Sequence, residues 1–129
     1  MKVLFLSNAK SIHTVKWVNA LSGRGHEVHL AYKKDDYPVE KNIDNRVILH
    51  QLKNSGTKGY YLNSRELNKL YKTLKPDVVN AHYASGYGTL ARHSKLKPLI
   101  LSVWGSDVYD FPYHSKIKMK ILKENINFA

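Results

Sequence analysis

Residues 2–32, KVLFLSNAKSIHTVKWVNALSGRGHEVHLAY, decide the fold class. The apolar run from Lys2 to Ser7 has the character of a strand, and residues 8–11 indicate a loop and a helix cap. Between Ile12 and Arg24 the apolar residues recur at helical spacing, and two glycines then end the helix. The alternating residues from His26 to Tyr32 predict a second strand. A strand, a helix and a strand in this order form the unit from which parallel sheets are built.

The same alternation of strands and helices continues along the chain after a polar connection at residues 33–45. Further strands are predicted at residues 46–52, 77–81 and 99–103, and helices at residues 60–75, 86–96 and 113–125. Pro76 follows the first of these helices and cannot continue it. We therefore expect residues 1–129 to form a single α/β domain, a Rossmann-like parallel sheet with helices on both faces.

The composition is strongly basic, with 21 Lys and Arg against 10 acidic residues and a formal charge of +11. Such a surface attracts anions, either acidic lipid head groups or phosphorylated small molecules, or it is a solvated lysine coat. Nucleic acid is not expected as a partner, because the chain has no basic helix with interleaved aromatic residues and no zinc, RRM or KH signature. Without cysteine, the chain has no disulfide framework and no thiolate metal site.

Several familiar site signatures are missing from the sequence. The pattern G-x-G-x-x-G does not occur, nor does G-x-x-x-x-G-K-[ST], which weakens the case for a dinucleotide or P-loop nucleotide site. The seven histidines do not assemble a metal-ligand motif, so we expect no metal ion and no cofactor. No apolar stretch is long enough for a membrane span, and we expect a cytoplasmic protein.

Polar and aromatic clusters follow three of the predicted strands. They lie at residues 7–13, 82–86 and 104–107, and the carboxyl ends of parallel strands meet at one edge of a sheet. Backbone amides at the starts of the helices near Ile12 and Gly86 favour an anion there, and phosphate is the natural candidate. We therefore expect the three clusters to converge on one crevice.

Each candidate residue in these clusters also has a purely structural interpretation. His13 and His82 are lone histidines that act in the site or simply stabilise the fold. Asp107 follows Trp-Gly-Ser at a strand end, where a carboxylate can accept a hydrogen bond from a sugar hydroxyl or can cap a turn. Gly86, in the pattern GYG, permits close approach of a ligand to the backbone or a tight turn into a helix.

Three segments carry a resemblance to a known family: SNAKSIHTVKWVNALSGRGHEVHLAY at residues 7–32, KPDVVNAHYASGYGTLA at 75–91 and KPLILSVWGSDVYDFP at 97–112. In this order and spacing they resemble the retaining nucleotide-sugar glycosyltransferases of the GT-B fold, the group 1 or family 4 type. The resemblance covers essentially the whole chain. It implies an N-terminal, acceptor-side domain, and it implies that a C-terminal domain binding the donor sugar is absent from these residues. We therefore expect a truncated chain that is inactive alone.

The resemblance also assigns roles to individual residues. It implies a loop near the donor diphosphate at Asn8, Ser11 and His13, although the glycine pair usual in the family is absent. Catalytic roles fall to Asp107, which orients the acceptor hydroxyl, and to Trp104, which stands where many members carry a histidine. An indole cannot take up a proton as that histidine could. The implied acceptor-binding residues are His82, Tyr83, Ser85, Gly86, Gly105 and Ser106.

The implied reaction is transfer of a hexosyl unit from a UDP- or GDP-sugar to a hydroxyl acceptor with retention of configuration. The acceptor is a glycan, a lipid-linked or a phosphorylated molecule, in polysaccharide or glycoconjugate biosynthesis. The basic helix predicted at residues 113–125, with Ile117, Ile121 and Leu122 on one side, either contacts an anionic membrane or packs on the sheet with its lysines solvated. The alternative from another class is a free-standing flavodoxin-like phosphate- or nucleotide-binding or regulatory domain.

Overall fold

The computed structural model describes residues 1–38 and 42–129. The strands are β1 (Lys2–Leu6), β2 (Glu27–Lys33), β3 (Ile48–Leu52), β4 (Val78–His82) and β5 (Leu99–Ser102). The helices are α1 (Ile12–Gly23), α2 (Gly59–Leu62), α3 (Ser64–Leu74), α4 (Tyr87–His93), α5 (Ser106–Tyr109) and α6 (Lys116–Phe128). Short 3₁₀ turns lie at Lys34–Asp36 and Phe111–His114, and the predicted connection at residues 33–45 includes three residues outside the described part.

The five strands run parallel in the order β3-β2-β1-β4-β5. The chain winds outward from β1 to β3, returns past β1 to β4, and continues to β5. This is the order of a doubly wound Rossmann sheet, and it differs from the flavodoxin-like order, in which the third strand lies beside the first. The α/β prediction is confirmed, and the topology disfavours the flavodoxin-like alternative.

Alternate residues of the central strands pack into two separate cores. Val3 and Phe5 of β1 face one side of the sheet, where Val18 of α1 covers them. Leu4 and Leu6 face the other side, which the apolar residues of α3 and α4 cover. Each fully buried leucine contributes about 2 kcal/mol of burial free energy. Because both faces are covered, the central strand β1 is apolar at every position after Lys2, as a buried parallel strand requires.

The predicted helix at residues 60–75 is wrong in one respect, because a break at Asn63 divides it into α2 and α3. The buried side chain of Asn63 forms hydrogen bonds with Asn54: its Oδ1 accepts from the backbone N–H at 2.9 Å, and its Nδ2 donates to the carbonyl at 2.9 Å. This pairing holds the preceding turn against the helix. Periodicity alone could not find it, since the partners are nine positions apart.

The C-terminal region also differs from the prediction. The last helix starts at Lys116 rather than Tyr113 because the Ser115 side chain caps it, accepting from the Lys118 N–H. Leu122 is buried as expected, but Ile117 is 73% exposed, so these two residues do not share the packed side. The short helix α5 was not predicted at all.

Candidate functional site

The crevice at the carboxyl ends of β1 and β4 lies where the winding of the sheet changes direction. Such switch points are where ligands bind in open α/β sheets. The predicted clusters at residues 7–13, 82–86 and 104–107 do meet there, since the rings of His13 and Tyr83 lie 5.7 and 5.8 Å from the ring of Trp104. The expected convergence of the three clusters is thus observed.

The first of these loops is held by local side-chain bonds and by two distant backbone bonds, in which the Ser7 and Ala9 N–H groups donate to Ala31 O and Asp36 O at 3.3 and 3.1 Å. Asn8 Oδ1 accepts from the Lys10 N–H at 2.9 Å, forming an Asx turn. Ser11 caps α1 by accepting from the His13 N–H at 3.2 Å, as the sequence suggested. The His13 side chain is exposed and faces Trp104.

His82 is buried, and both of its ring nitrogens are occupied. Its Nε2 lies 2.8 Å from Asn80 Oδ1, and its Nδ1 accepts from the Trp104 indole N–H at 3.3 Å. The Asn80 amide group donates to Ile100 O and Ser102 Oγ, which fixes its oxygen toward the histidine. The proton of His82 therefore sits on Nε2.

Burial, together with the positive charge that His13 can carry, lowers the pKa of His82 to about 4. The imidazole is neutral at physiological pH. Its Nδ1 lone pair is directed at the indole, so His82 holds the Trp104 ring in place. His82 has almost no exposed surface with which to contact an acceptor directly.

Asp107 joins the two loops that follow β4 and β5. Its Oδ1 accepts from the Trp104 and Gly105 N–H groups at 3.0 and 2.9 Å, and its Oδ2 accepts from the Ala84 N–H at 2.6 Å. The carboxylate is fully buried. In this arrangement Asp107 holds backbone rather than presenting an oxygen to the crevice, and direct contact with an acceptor would require these bonds to open.

The backbone of both clamped loops is strained or unusual. Tyr83 has a φ of 80°, which is rare for a residue with a bulky side chain and is a form of strain concentrated at functional sites. Gly105 has a φ of 114°, which favours glycine. The Tyr83 hydroxyl lies 3.3 Å from Ser106 Oγ, at the exposed side of the crevice. This geometry aims the Tyr83 phenol into the site.

Gly86 and Ser85 lie beside the crevice on the same loop. A Cβ added to Gly86 would lie 2.6 Å from Cζ of Tyr60, so the glycine admits the Tyr60 ring and not only a tight turn. Ser85 is buried, and its carbonyl accepts from the Thr89 hydroxyl at 2.6 Å. Both residues therefore shape the wall of a cavity.

Sequence reasoning missed Asn125, which docks α6 against the β4 loop. Its Nδ2 donates to Ala84 O at 2.9 Å and to Thr89 Oγ1 at 2.8 Å, while its Oδ1 accepts from Arg92 Nε at 2.8 Å. The side chain is completely buried. An asparagine inside a basic amphipathic helix gave no signal of this role, because its partners lie more than 30 positions away.

A second group missed from the sequence surrounds Lys33 at the end of β2. The Lys33 side chain is buried and its Nζ lies 3.9 Å from Asp36 Oδ2 and 4.1 Å from the centre of the Tyr60 ring. The Tyr87 hydroxyl donates to Asp36 Oδ2 at 2.6 Å and accepts from the Lys33 N–H at 3.0 Å. Burial, together with the nearby Asp36 charge, raises the pKa of Tyr60, so its hydroxyl keeps its proton.

Two cavities open beside this framework. The aromatic slot, about 130 Å³, is lined by Asn8, Tyr60, Tyr83, Tyr87 and Trp104. A larger, mainly apolar cavity of about 440 Å³ lies on the other side of Tyr60 and Tyr83, which line both. The site is thus a pair of adjoining spaces separated by two tyrosines.

Within residues 1–38 and 42–129, no cluster of three or more His, Asp or Glu side chains has a geometry suited to a metal ion. In the same part of the chain, no helix has the length and apolar character required to cross a membrane.

Comparison with known families rests on a match along nearly the entire chain. The sequence model described as glycosyl transferase 4-like matches residues 2–129. The chain belongs to the glycosyl transferase 4-like family. No curated protein matches the chain at a significant level. The resemblance recognised from the three sequence segments is confirmed at the level of this family.

In this glycosyl transferase 4-like domain, the crevice is lined mainly by aromatic side chains. Trp104, Tyr83 and Tyr60 present flat aromatic surfaces, and Asn8 adds an amide group to the same slot. His82 and Asp107, two of the polar residues predicted to act on substrate, hold the indole and the backbone, and their contact with a substrate stays a prediction. The residues that face the open space are therefore mostly aromatic.

Proposed function

We propose that this glycosyltransferase domain binds the acceptor and that the aromatic slot receives the acceptor sugar or hydroxyl group. The observation that carries the proposal is the position of Trp104, whose ring lies at the switch point between the first loop and Tyr83. Aromatic faces bind the apolar faces of sugar rings, and the Tyr83 hydroxyl and Asn8 amide supply hydrogen bonds. Small slots with few polar groups select orientation as well as identity.

The donor is a UDP- or GDP-sugar whose diphosphate approaches the first loop at Asn8, Ser11 and His13. Two features support this role: the start of α1, where amide N–H groups favour negative charge, and the exposed His13 imidazole beside Trp104. A second domain grips the nucleotide, and closure of the two domains brings donor and acceptor together. No metal ion is needed, since helix dipoles and basic side chains stabilise the departing diphosphate.

Transfer proceeds with retention of configuration, and neither His82 nor Trp104 acts as a general base. The His82 nitrogens are occupied and its pKa is about 4, while an indole cannot accept a proton. Asp107 serves as a positioning residue that sets the relative placement of Tyr83 and Trp104. Its direct contact with an acceptor hydroxyl stays a prediction.

The acceptor pathway is polysaccharide or glycoconjugate synthesis at the cytoplasmic side of a membrane. Support comes from the region around the start of α6, where Tyr113 and Ile117 are exposed beside Lys116 and Lys120. Each lysine near an anionic surface contributes on the order of 1 kcal/mol. Binding to vesicles that contain phosphatidylglycerol should fall steeply as salt rises, and equal binding to neutral vesicles would contradict membrane contact.

The transfer reaction is tested with the full natural chain that contains these residues. Radiolabelled UDP-glucose, UDP-galactose, UDP-N-acetylglucosamine and GDP-mannose are each offered with membrane lipids and soluble glycans from the source cells. We expect one donor to label an acceptor with retention, seen in the anomeric coupling constant of the product. The 129-residue chain alone should transfer nothing. Failure of every donor, or turnover by the short chain, would contradict the proposal.

A further inference from the structure

The larger cavity next to the aromatic slot is lined mainly by apolar and aromatic side chains. Its volume is about 440 Å³, within the range of ligand pockets. The side chains that give it this character are Tyr60, Tyr61, Tyr83, Phe111, Ile117 and Ile121. A sugar alone would leave most of this surface without a suitable partner, since sugar hydroxyl groups need hydrogen bonds when they leave water.

The wall between the cavity and the slot is held rigidly in place. The Tyr60 ring packs against the Gly86 backbone, lies edge-on to Tyr87 at 5.3 Å and carries Lys33 Nζ over its face at 4.1 Å. Tyr83, the other shared residue, is held by its clamped loop. A preformed wall of this kind keeps the cavity open, so binding needs little rearrangement.

The opposite wall comes from α6, whose position the buried Asn125 secures. Ile121 is partly buried, while Ile117, one turn earlier, is 73% exposed at the cavity mouth. An exposed isoleucine beside the exposed Tyr61 leaves apolar surface in water that a bound hydrocarbon would cover.

A positive charge accompanies this apolar lining. Lys118 lines the cavity and its Nζ lies 5.3 Å from the centre of the Phe111 ring. The chain carries a net charge of +11, so an anionic ligand is also attracted at longer range. An apolar chamber with a lysine in its lining suits a molecule that has a hydrocarbon part and a negatively charged group.

We propose that the cavity binds the hydrocarbon part of an anionic amphiphilic acceptor and that Lys118 contacts the anionic group. The hydroxyl to be glycosylated then passes between Tyr60 and Tyr83 into the aromatic slot. This assignment deepens the proposed acceptor role and rests on it. It makes the acceptor class a lipid phosphate or a similar alkyl phosphate rather than a free soluble sugar.

The test is isothermal titration calorimetry of the full natural chain that contains these residues. The ligands are n-octyl phosphate, n-hexyl phosphate, 1-octanol and inorganic phosphate, each below its aggregation concentration. We expect saturable binding of n-octyl phosphate, about tenfold tighter than that of n-hexyl phosphate because two more methylene groups are buried. Inorganic phosphate should bind at least about a hundredfold more weakly than n-octyl phosphate, because it has no alkyl chain to bury in the cavity.

Three variants locate the binding. Ile117→Glu places a carboxylate at the cavity mouth and should weaken n-octyl phosphate binding about tenfold or more, while Ile126→Glu changes the same residue type on the same helix outside the lining and should leave binding unchanged. Lys118→Met should weaken n-octyl phosphate binding about fivefold without affecting 1-octanol. Far-ultraviolet circular dichroism of each variant checks that the fold is intact.

Several results would overturn the assignment. They are the absence of saturable n-octyl phosphate binding, equal loss in Ile117→Glu and Ile126→Glu, and equal affinity for n-octyl phosphate and 1-octanol. Absence of binding to every probe would leave a protein segment as the better occupant. In the full natural chain, sugar transfer without n-octyl phosphate binding would contradict the cavity assignment alone, whereas binding without sugar transfer would contradict the proposed transfer reaction.

Discussion

The two sides of the crevice are built in different ways. On the β1 side, the side chains of Asn8 and Ser11 form an Asx turn and a helix cap, bonds that span two positions, while the distant bonds of this loop are made by backbone N–H groups. On the β4 side, the loop at residues 83–86 is tied to the loop at 104–107 by Asp107, 23 positions from Ala84, and to α6 by Asn125, 41 positions from it. The side-chain bonds of the first loop are local, whereas the side-chain bonds of the second join distant parts of the chain.

A side-chain substitution does not remove the distant backbone bonds of Ser7 and Ala9, but it does remove the distant side-chain bonds on the β4 side. A local turn forms with little dependence on the rest of the molecule, because its partners are always near each other. The clamped loops hold a strained Tyr83 and the Trp104 ring only while distant parts of the chain stay packed. The acceptor side of the site should therefore be far more sensitive to single substitutions than the β1 side.

Asp107→Ala should have the largest effect, since it leaves three backbone N–H groups, one buried and two partly buried, without a partner. We expect the free energy of unfolding to fall by about 4 kcal/mol, measured by urea denaturation. Asp107→Asn keeps one acceptor oxygen and should cost about half as much. Asp110→Asn, an exposed carboxylate on the next turn, is the control and should change stability by less than about 0.5 kcal/mol. If Asp107→Ala keeps nearly the full free energy of unfolding, Asp107 does not hold the two loops together.

The pH dependence of stability should come partly from His82. Its pKa is about 4 in the folded chain against 6.5 for an unburied histidine, so the unfolded state binds the proton first. The stabilisation is complete above pH 6.5 and is lost as pH falls toward 4, on the order of 3 kcal/mol in total. His82→Gln should flatten this part of the profile, while His13→Gln on the β1 side should change it only slightly, because burial is the larger cause of the lowered His82 pKa. Identical pH profiles for the unmodified protein and both variants would show that burial does not keep His82 in its neutral form.

Asn125→Ala should lower the free energy of unfolding by about 2 kcal/mol, because Ala84 O, Thr89 Oγ1 and Arg92 lose a buried partner. The exposed Asn127 on the same helix is the matched control, and Asn127→Ala should be nearly neutral. Hydrogen exchange should show faster opening of the β4 loop in the first variant only. If both variants behave alike, α6 does not support the site.

Ser11→Ala, on the β1 side, should cost only about 1 kcal/mol, the usual effect of losing a helix cap. The change should stay local, so hydrogen exchange at residues 83–86 and 104–107 should match that of the unmodified protein. A loss as large as that of Asp107→Ala would mean that the two loops are coupled after all.

The same contrast explains what the sequence could predict. The α/β class, the strands within a few residues and the cap at Ser11 follow from periodicity and local chemistry, and the structure agrees. The convergence of the three clusters followed from the rule for parallel sheets. The sequence could not show that Asp107 clamps backbone or that His82 supports the indole, because burial and distant partners decide those roles. It also missed Tyr60 and Lys33, whose neighbours come from three separate elements.

We propose that the aromatic crevice binds the acceptor and not the nucleotide. The most direct measurement is steady-state kinetics of Trp104→Leu in the full natural chain, with donor and acceptor varied separately and Trp104→Phe as the conservative control. Loss of the ring should raise the acceptor KM about tenfold and change the donor KM less than about twofold, with substantial recovery in Trp104→Phe. A raised donor KM with an unchanged acceptor KM would show that the crevice binds the nucleotide sugar and not the acceptor.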